Sequence, residues 1–249
     1  MPAVFVHGVP ESSAIWSPMI GELDRDDIVT LSPPGFGAPV PGGWSPTWET
    51  YRDWLLDELA AIEAPIDLVG HDWGGGHVVN AMLADPPGVR SWVTDVIGLF
   101  HPDHTWHDMA QTWRTPEAGE VAIAEMLDQP RENRVAMFAM FGIEGEVGNA
   151  LAEAATPQMG ECILGLYRSA DEAVIGSPDR GFERLAATPG LCMLATDDGF
   201  VGSHDSIEQM AATCGATVHR LEGLSHWWMA QDPAAGAAAL QSFWAGVEG

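Results

Sequence analysis

The sequence predicts an α/β fold: a mostly parallel sheet with helices on both faces and a helical insertion capping one end. Three observations predict it. Short apolar, β-branched runs bounded by turn residues recur along the chain, and helical patterns separate several of them. The alternation breaks once, between Phe100 and about Ala186, in a stretch rich in Ala, Met and Glu with no convincing strand. Strands alternating with helices build parallel sheets covered on both faces. A long helical stretch between two such strands is most simply an insertion.

The elements follow in order. Val4–Val6 reads as the first strand and ends in the turn His7-Gly8-Val9-Pro10. Ile28–Leu31 is the second strand, followed by a Pro/Gly-rich loop over Ser32–Ser45. Ser45 as N-cap and Pro46 in the first turn open a helix whose apolar face is Trp48, Tyr51, Leu55, Leu59 and Ile62. Tyr51 is therefore structural. Ile66–Val69 is a strand, Gly70–Gly75 a sharp turn, and His77–Ala84 a helix. Trp92–Leu99 is the next strand. In the insertion, Glu117–Leu127, Arg131–Phe141, Val147–Ala155 and Met159–Ala170 look helical. Leu191–Ala195 and Thr217–Leu221 complete the strands. The expected organisation is a core of residues 1–99 and 187–249 with a cap of residues 100–186. At 249 residues this is one domain with a sizeable core.

Composition excludes several functions. Thirty-six acidic residues face ten basic ones, all arginine, for a formal net charge of −26. Such a surface repels nucleic acid and anionic membrane. No run of 18 apolar residues suggests a membrane span. The start, Met1-Pro2-Ala3-Val4, carries no signal pattern, so a cytoplasmic protein is expected. Cys162, Cys192 and Cys214 are odd in number and widely spaced, as reduced thiols would be. None of the nine histidines falls in a metal-ligand spacing, so neither metal nor cofactor is expected.

The chemistry centres on Val69-Gly70-His71-Asp72-Trp73-Gly74-Gly75. A strand, a glycine-flanked turn and a helix form a nucleophile elbow, normally Gly-x-Ser-x-Gly. Here Asp72 takes the serine's place. A serine attacking saturated carbon would leave an inert ether. A carboxylate forms an ester, which water can open. Displacement at sp³ carbon, with an epoxide oxygen or a halide leaving, is the implied reaction.

His226, in Gly223-Leu224-Ser225-His226-Trp227, is the candidate base. Asp198, just after the strand Leu191–Ala195, is the candidate acid that orients it. Asp197 competes for that role, and Asp95 and Asp103 are weaker candidates. The amides of Val9 and Trp73 are candidate oxyanion donors. From the insertion, Tyr167 and Trp106, with His104 or His107 as alternates, can assist a leaving oxygen or halide. His71 reads as a packed elbow residue, and His219 lies inside a strand.

His-Gly-Val-Pro-Glu, Ser-Pro-Pro-Gly-Phe-Gly, Gly-His-Asp-Trp-Gly-Gly and Gly-Leu-Ser-His-Trp together resemble the α/β-hydrolase-fold epoxide hydrolases. Haloalkane and fluoroacetate dehalogenases are related. Leu166-Tyr167-Arg168 resembles the Trp-Tyr-Arg element that carries one cap tyrosine of epoxide hydrolases. That family usually has a second cap tyrosine, and Tyr51 lies too early to supply it; Trp106 or a neighbouring histidine takes the place. Val9 occupies the position of the halide-binding asparagine of many haloalkane dehalogenases. The edge hairpin common in the fold has no counterpart before Val4. The resemblance implies hydrolysis of an epoxide to a vicinal diol through an aspartyl ester. A haloalkane or haloacid dehalogenase is the alternative, and a non-catalytic ligand-binding protein a third. The implied partner is a small apolar epoxide or halogenated substrate, and the implied state a monomer or homodimer.

Overall fold

The structure is a computed structural model describing residues 1–247. Its elements are β1 (Ala3–Val6), α1 (Ser17–Ile20), β2 (Ile28–Leu31), α2 (Trp48–Ala60), β3 (Ile66–Gly70), α3 (Trp73–Met82) and β4 (Val89–Thr94). The insertion then supplies α4 (Asp108–Arg114), α5 (Ala118–Leu127), α6 (Arg131–Met140), α7 (Gly145–Ala154), α8 (Pro157–Ser169) and α9 (Glu172–Ile175). The chain returns through β5 (Gly190–Ala195), α10 (His204–Thr213), β6 (Ala216–Leu221), α11 (Trp228–Gln231) and α12 (Pro233–Gly246).

The six strands form one sheet in the order β2-β1-β3-β4-β5-β6, with every neighbouring pair parallel. Val6 pairs with Leu31 on one side and with Gly70 on the other, so β1 and β3 end level. The strand order turns back at β1, and the loops after β1 and β3 meet there, where sites form in open α/β sheets. Side chains alternate across the sheet. Val4, Val6 and Leu68 enter a core with α2, α3 and α8; Ala3, Phe5 and Val69 enter a second core with α1, α11 and α12. The insertion divides between them, since Trp113 and Tyr167 join the first core and Phe138 and Leu151 the second.

Three boundaries differ from the sequence reading. Thr47, not Ser45, caps α2: its side chain accepts the Thr50 amide while Thr50 Oγ1 accepts the Thr47 amide. The strand expected over Trp92–Leu99 stops at Thr94, because the chain turns at Asp95 toward the elbow and Ile97–Phe100 is a 3₁₀ turn. Helix α3 begins at Trp73, not His77, since glycines at 74–76 carry no apolar pattern yet pack inside. The α4, α10 and α12 helices were not anticipated. The α8 helix is tied to the core where Ser169 Oγ accepts the Trp48 amide at 3.0 Å. The three cysteines are free and buried. Among the described residues no helix is long and apolar enough to cross a membrane.

Candidate active site

Asp72 sits between β3 and α3 with φ 50° and ψ −131°. Positive φ is unfavourable for a residue with a side chain, and such conformations persist only where neighbours enforce them. Gly74 enforces this one by close approach, since a Cβ there would lie 2.2 Å from the Val6 carbonyl oxygen. Gly8 admits the carboxylate itself, as a Cβ would fall 2.1 Å from Asp72 Oδ1.

The candidates from distant loops converge on that carboxylate. The Val9 amide donates to Asp72 Oδ1 at 2.8 Å, and the Trp73 amide also reaches the group. His226 Nε2 lies 3.6 Å from Asp72 Oδ2. On its other side, His226 Nδ1 is 2.7 Å from Asp198 Oδ2, and Asp198 Oδ1 accepts the Phe200 amide at 2.8 Å. Asp197 and Asp103 are exposed. His219 is exposed on the edge strand β6.

Electrostatics follows from the contacts. Burial alone would raise the Asp72 carboxyl, but the hydrogen bond and charge of His226 outweigh it and hold the group below its ordinary range. Burial would lower His226, yet Asp198 and then Asp72 push it up to about 10. At neutral pH the resting pair is therefore a carboxylate beside an imidazolium.

Beneath the elbow lies a network that the sequence reading missed. His71, expected only to pack, is fully buried, with Nδ1 2.5 Å from Asp95 Oδ2 and Nε2 3.1 Å from Glu11 Oε1. Burial opposes its charge, but Asp95 and Glu11 raise it well above the ordinary imidazole value. The ring thus donates to both carboxylates. The Trp227 indole donates to Glu11 Oε1 at 2.5 Å and the Trp228 indole to Asp95 Oδ2 at 2.8 Å. Asp95 Oδ1 accepts the Asp72 amide at 3.0 Å. The signals in the sequence were Glu11 in His-Gly-Val-Pro-Glu and the tandem tryptophans. Ligating atoms of Glu11, His71 and His226 also lie within 4.8 Å of one another. With a proton on each ring nitrogen, one toward Asp95 and one toward Glu11, His71 has no lone pair to offer a metal.

Above the carboxylate stand aromatic groups. Trp73 stacks on Trp106 with ring centroids 5.7 Å apart, and Tyr167 meets both edge-on at 5.3 Å. Tyr167 is buried, and desolvation together with the nearby Asp72 charge keeps its phenol protonated. His107 Nδ1 caps α4 by accepting the Ala110 amide at 3.3 Å. His104 is pushed down to about 4, mainly by burial, and is neutral. Two small cavities meet at Asp72, Tyr167, His107 and Phe200, of about 30 Å³ toward His104 and about 40 Å³ toward His226.

Known proteins resemble this chain in sequence and in fold. An epoxide hydrolase of Caballeronia sordidicola is 31% identical over 146 residues, covering 55% of this chain and 43% of that relative. The match thus spans less than half of the relative's length. The haloalkane dehalogenase DbeA from Bradyrhizobium elkani superposes with a TM-score of 0.70 at 22% identity, covering 98% of this chain and 90% of its own. A thermophilic esterase from Thermogutta terrifontis gives 0.68 at 19% identity, covering 100% of this chain and 91% of its own. At these identities the two structural likenesses are of fold. Residues 3–239 match the Alpha/beta hydrolase family, and the chain belongs to that family.

Proposed function

We propose that this hydrolase opens an epoxide to a vicinal diol through a covalent ester on Asp72. The observation that carries the reading is a carboxylate, not a hydroxyl, on the strained elbow, with His226 on one side and the Tyr167 phenol lining the space above it. The related Caballeronia protein is named an epoxide hydrolase, which favours the same reading.

Protons balance around the cycle. Asp72 attacks the less hindered ring carbon, the C–O bond breaks, and Tyr167 gives the opening oxygen its proton. Esterification removes the Asp72 charge, one of the two supports of the His226 imidazolium. The ring then releases a proton, which restores the Tyr167 phenol after its own has gone to the substrate oxygen. Neutral His226, oriented by Asp198, next takes a proton from water. The hydroxide attacks the ester carbonyl while the Val9 and Trp73 amides stabilise the oxyanion. On collapse the C–O bond to the substrate breaks, and the proton of the newly formed Asp72 carboxylic acid passes to the departing alkoxide. The diol leaves carboxylate and imidazolium behind. Positioned bases and oxyanion donors each typically contribute on the order of 10²–10⁴-fold.

One observation favours a second reading. The Trp73 and Trp106 indoles stack beside Tyr167, and N–H and O–H donors of this kind can grip a departing halide. Haloalkane or haloacid dehalogenation by the same Asp72 is therefore the alternative. A non-catalytic binding protein would have no use for the Asp72, His226 and Asp198 arrangement. Incubation with an epoxide panel and with a haloalkane and haloacid panel separates the three. Diol is the expected product; steady halide release without diol overturns the proposal for the dehalogenase, and neither product favours simple binding.

A further inference from the structure

The space above Asp72 is divided into two lobes. Asp72, Tyr167, His107 and Phe200 border both of them. The lobe toward His226, of about 40 Å³, also reaches Pro10 and Met109, and Met109 is 45% exposed. The other lobe, of about 30 Å³, is walled by Trp73, Val96, Leu99, Trp106 and Val201, all buried, and by half-buried His104. The way to solvent therefore runs past Met109, and the second lobe ends among buried side chains.

Chemistry assigns a content to each lobe. The water that opens the ester must stand between His226 Nε2 and the Asp72 carboxyl carbon, so the lobe toward His226 is needed for it. The substituent on the epoxide ring then belongs in the other lobe, where Val96, Leu99 and Val201 offer it apolar burial. Volume limits what fits there. A cavity of about 150 Å³ holds benzene, and about 10–15 Å³ holds a single water. The lobe of about 30 Å³ therefore takes a short chain and no aromatic ring. Its aliphatic walls are also held together. Gly98 packs on the Val201 backbone, where a Cβ would lie 2.5 Å from the Val201 carbonyl oxygen, so the segments carrying Leu99 and Val201 are in direct contact. Close-packed walls of this kind resist being pushed apart.

We propose that Val96, Leu99 and Val201 impose a length limit, so that the substrates are terminal epoxides bearing an unbranched alkyl group of about one to three carbons. Longer alkyl and aryl epoxides are excluded. This rests on the epoxide-hydrolase reading and gives a selecting role to three residues with no polar side-chain group. An apolar site without an end wall would behave in the opposite way. Each further methylene that found room would raise kcat/KM roughly 4-fold through burial alone.

The test measures kcat/KM along 1,2-epoxypropane, 1,2-epoxybutane, 1,2-epoxyhexane and 1,2-epoxyoctane, which share the same reacting ring. Wild type should peak at 1,2-epoxybutane and fall by roughly 10-fold or more at 1,2-epoxyoctane. Leu99→Ala, which trims the wall side chain to a methyl, should move the peak to 1,2-epoxyhexane or beyond. Val201→Ala should move it less, and carries the test alone if Leu99→Ala fails to fold. A steady rise with length in wild type, or a peak that neither truncation moves, overturns the proposal. If none of the four is opened, the functional reading fails by itself. Binding of 1-butanol and 1-octanol, followed by tryptophan fluorescence, then decides the length limit separately. Tighter binding of 1-butanol that a truncation reverses upholds it. Equal or tighter binding of 1-octanol by wild type, or a preference that the truncations leave unchanged, overturns it.

Discussion

The two sides of Asp72 are built on opposite principles. Below it, Glu11, His71, Asp95, Trp227 and Trp228 are joined by hydrogen bonds of 2.5–3.1 Å with no polar atom of the set left over. Above it, the ring nitrogens of His104 and the indole nitrogen of Trp106 are shielded from water, but no protein group partners them. A fully satisfied buried network rigidifies what rests on it. An unsatisfied one is costly until something arrives. The difference teaches that the floor is preorganised for one geometry of the carboxylate, while the ceiling holds its aromatic groups by packing and not by a hydrogen-bond network. The floor also carries two histidines whose rings lie 4.7 Å apart. Charge on His71 works against charge on His226 and so partly offsets the pull of Asp198.

The largest expected effects come from removing the chemistry that the floor supports. Asp72→Ala should abolish turnover, by about 10⁴-fold or more, and leave the fold intact. Asp72→Ser should not restore epoxide opening. His226→Gln should still be alkylated and then stall, so that intact-mass spectrometry after substrate addition shows a stable adduct on the Asp72 peptide. Near-normal turnover by the alanine variant would end the nucleophile assignment. An unmodified His226→Gln protein that also forms no product would remove His226 from the second step.

Breaking the floor itself should be felt in stability before activity. Glu11→Ala strips a fully buried carboxylate from His71 and from the Trp227 indole. Leaving a buried charge half-paired typically costs about 3–5 kcal/mol. Urea denaturation should register a loss of that order. A loss below about 1 kcal/mol would mean that the network adjusts freely and does not fix the elbow.

The ceiling should respond in rate. Tyr167→Phe keeps the ring against Trp73, Trp106 and Trp113 and removes only the hydroxyl. Single-turnover alkylation by an epoxide should slow by roughly 10-fold or more if the phenol is the principal acid. An unchanged rate would hand that role to another donor.

A smaller effect appears with pH. His226 has its pKa raised from 6.5 to about 10 on folding. A raised pKa contributes stability that is fully present below about 6.5 and is lost as pH rises through about 10. The thermal midpoint of wild type should therefore decline across that window. His226→Gln should flatten the decline, and an identical slope in both proteins would show that His226 is not charged in the resting site.

How much of this was legible in the sequence depends on how local the signals are. Asp72, His226 and Asp198 sit in short motifs whose neighbours reveal their turns, and Tyr167 sits in a helical run, so their candidacy could be read locally. The network under the elbow joins His71 to residues 60 positions before it and 24 after it, and no local pattern marks such pairings. His107 and His104 looked interchangeable. They part because α4 begins at Asp108, which makes His107 a cap, and a seven-residue helix gives too little periodicity to foresee. All six strands were legible as β-branched or apolar runs. The α12 helix was not, since its Ala and Gly residues offer little contrast between faces.

The smallest expected effect is also the most direct measure of the contrast between floor and ceiling. Trp106 is as buried as Trp227, and each is 6% exposed. Trp227 donates its indole proton to Glu11, whereas the Trp106 nitrogen faces no acceptor. Trp106→Phe loses some ring area but also relieves an unpaired donor, and these terms oppose each other. The net change in unfolding free energy in the absence of ligand should stay within about 1 kcal/mol, measured by urea denaturation. Trp227→Phe leaves Glu11 short of a hydrogen bond and should cost clearly more, about 1.5–3 kcal/mol. If the two substitutions cost the same, the Trp106 nitrogen is as well satisfied as that of Trp227, and the contrast between floor and ceiling fails.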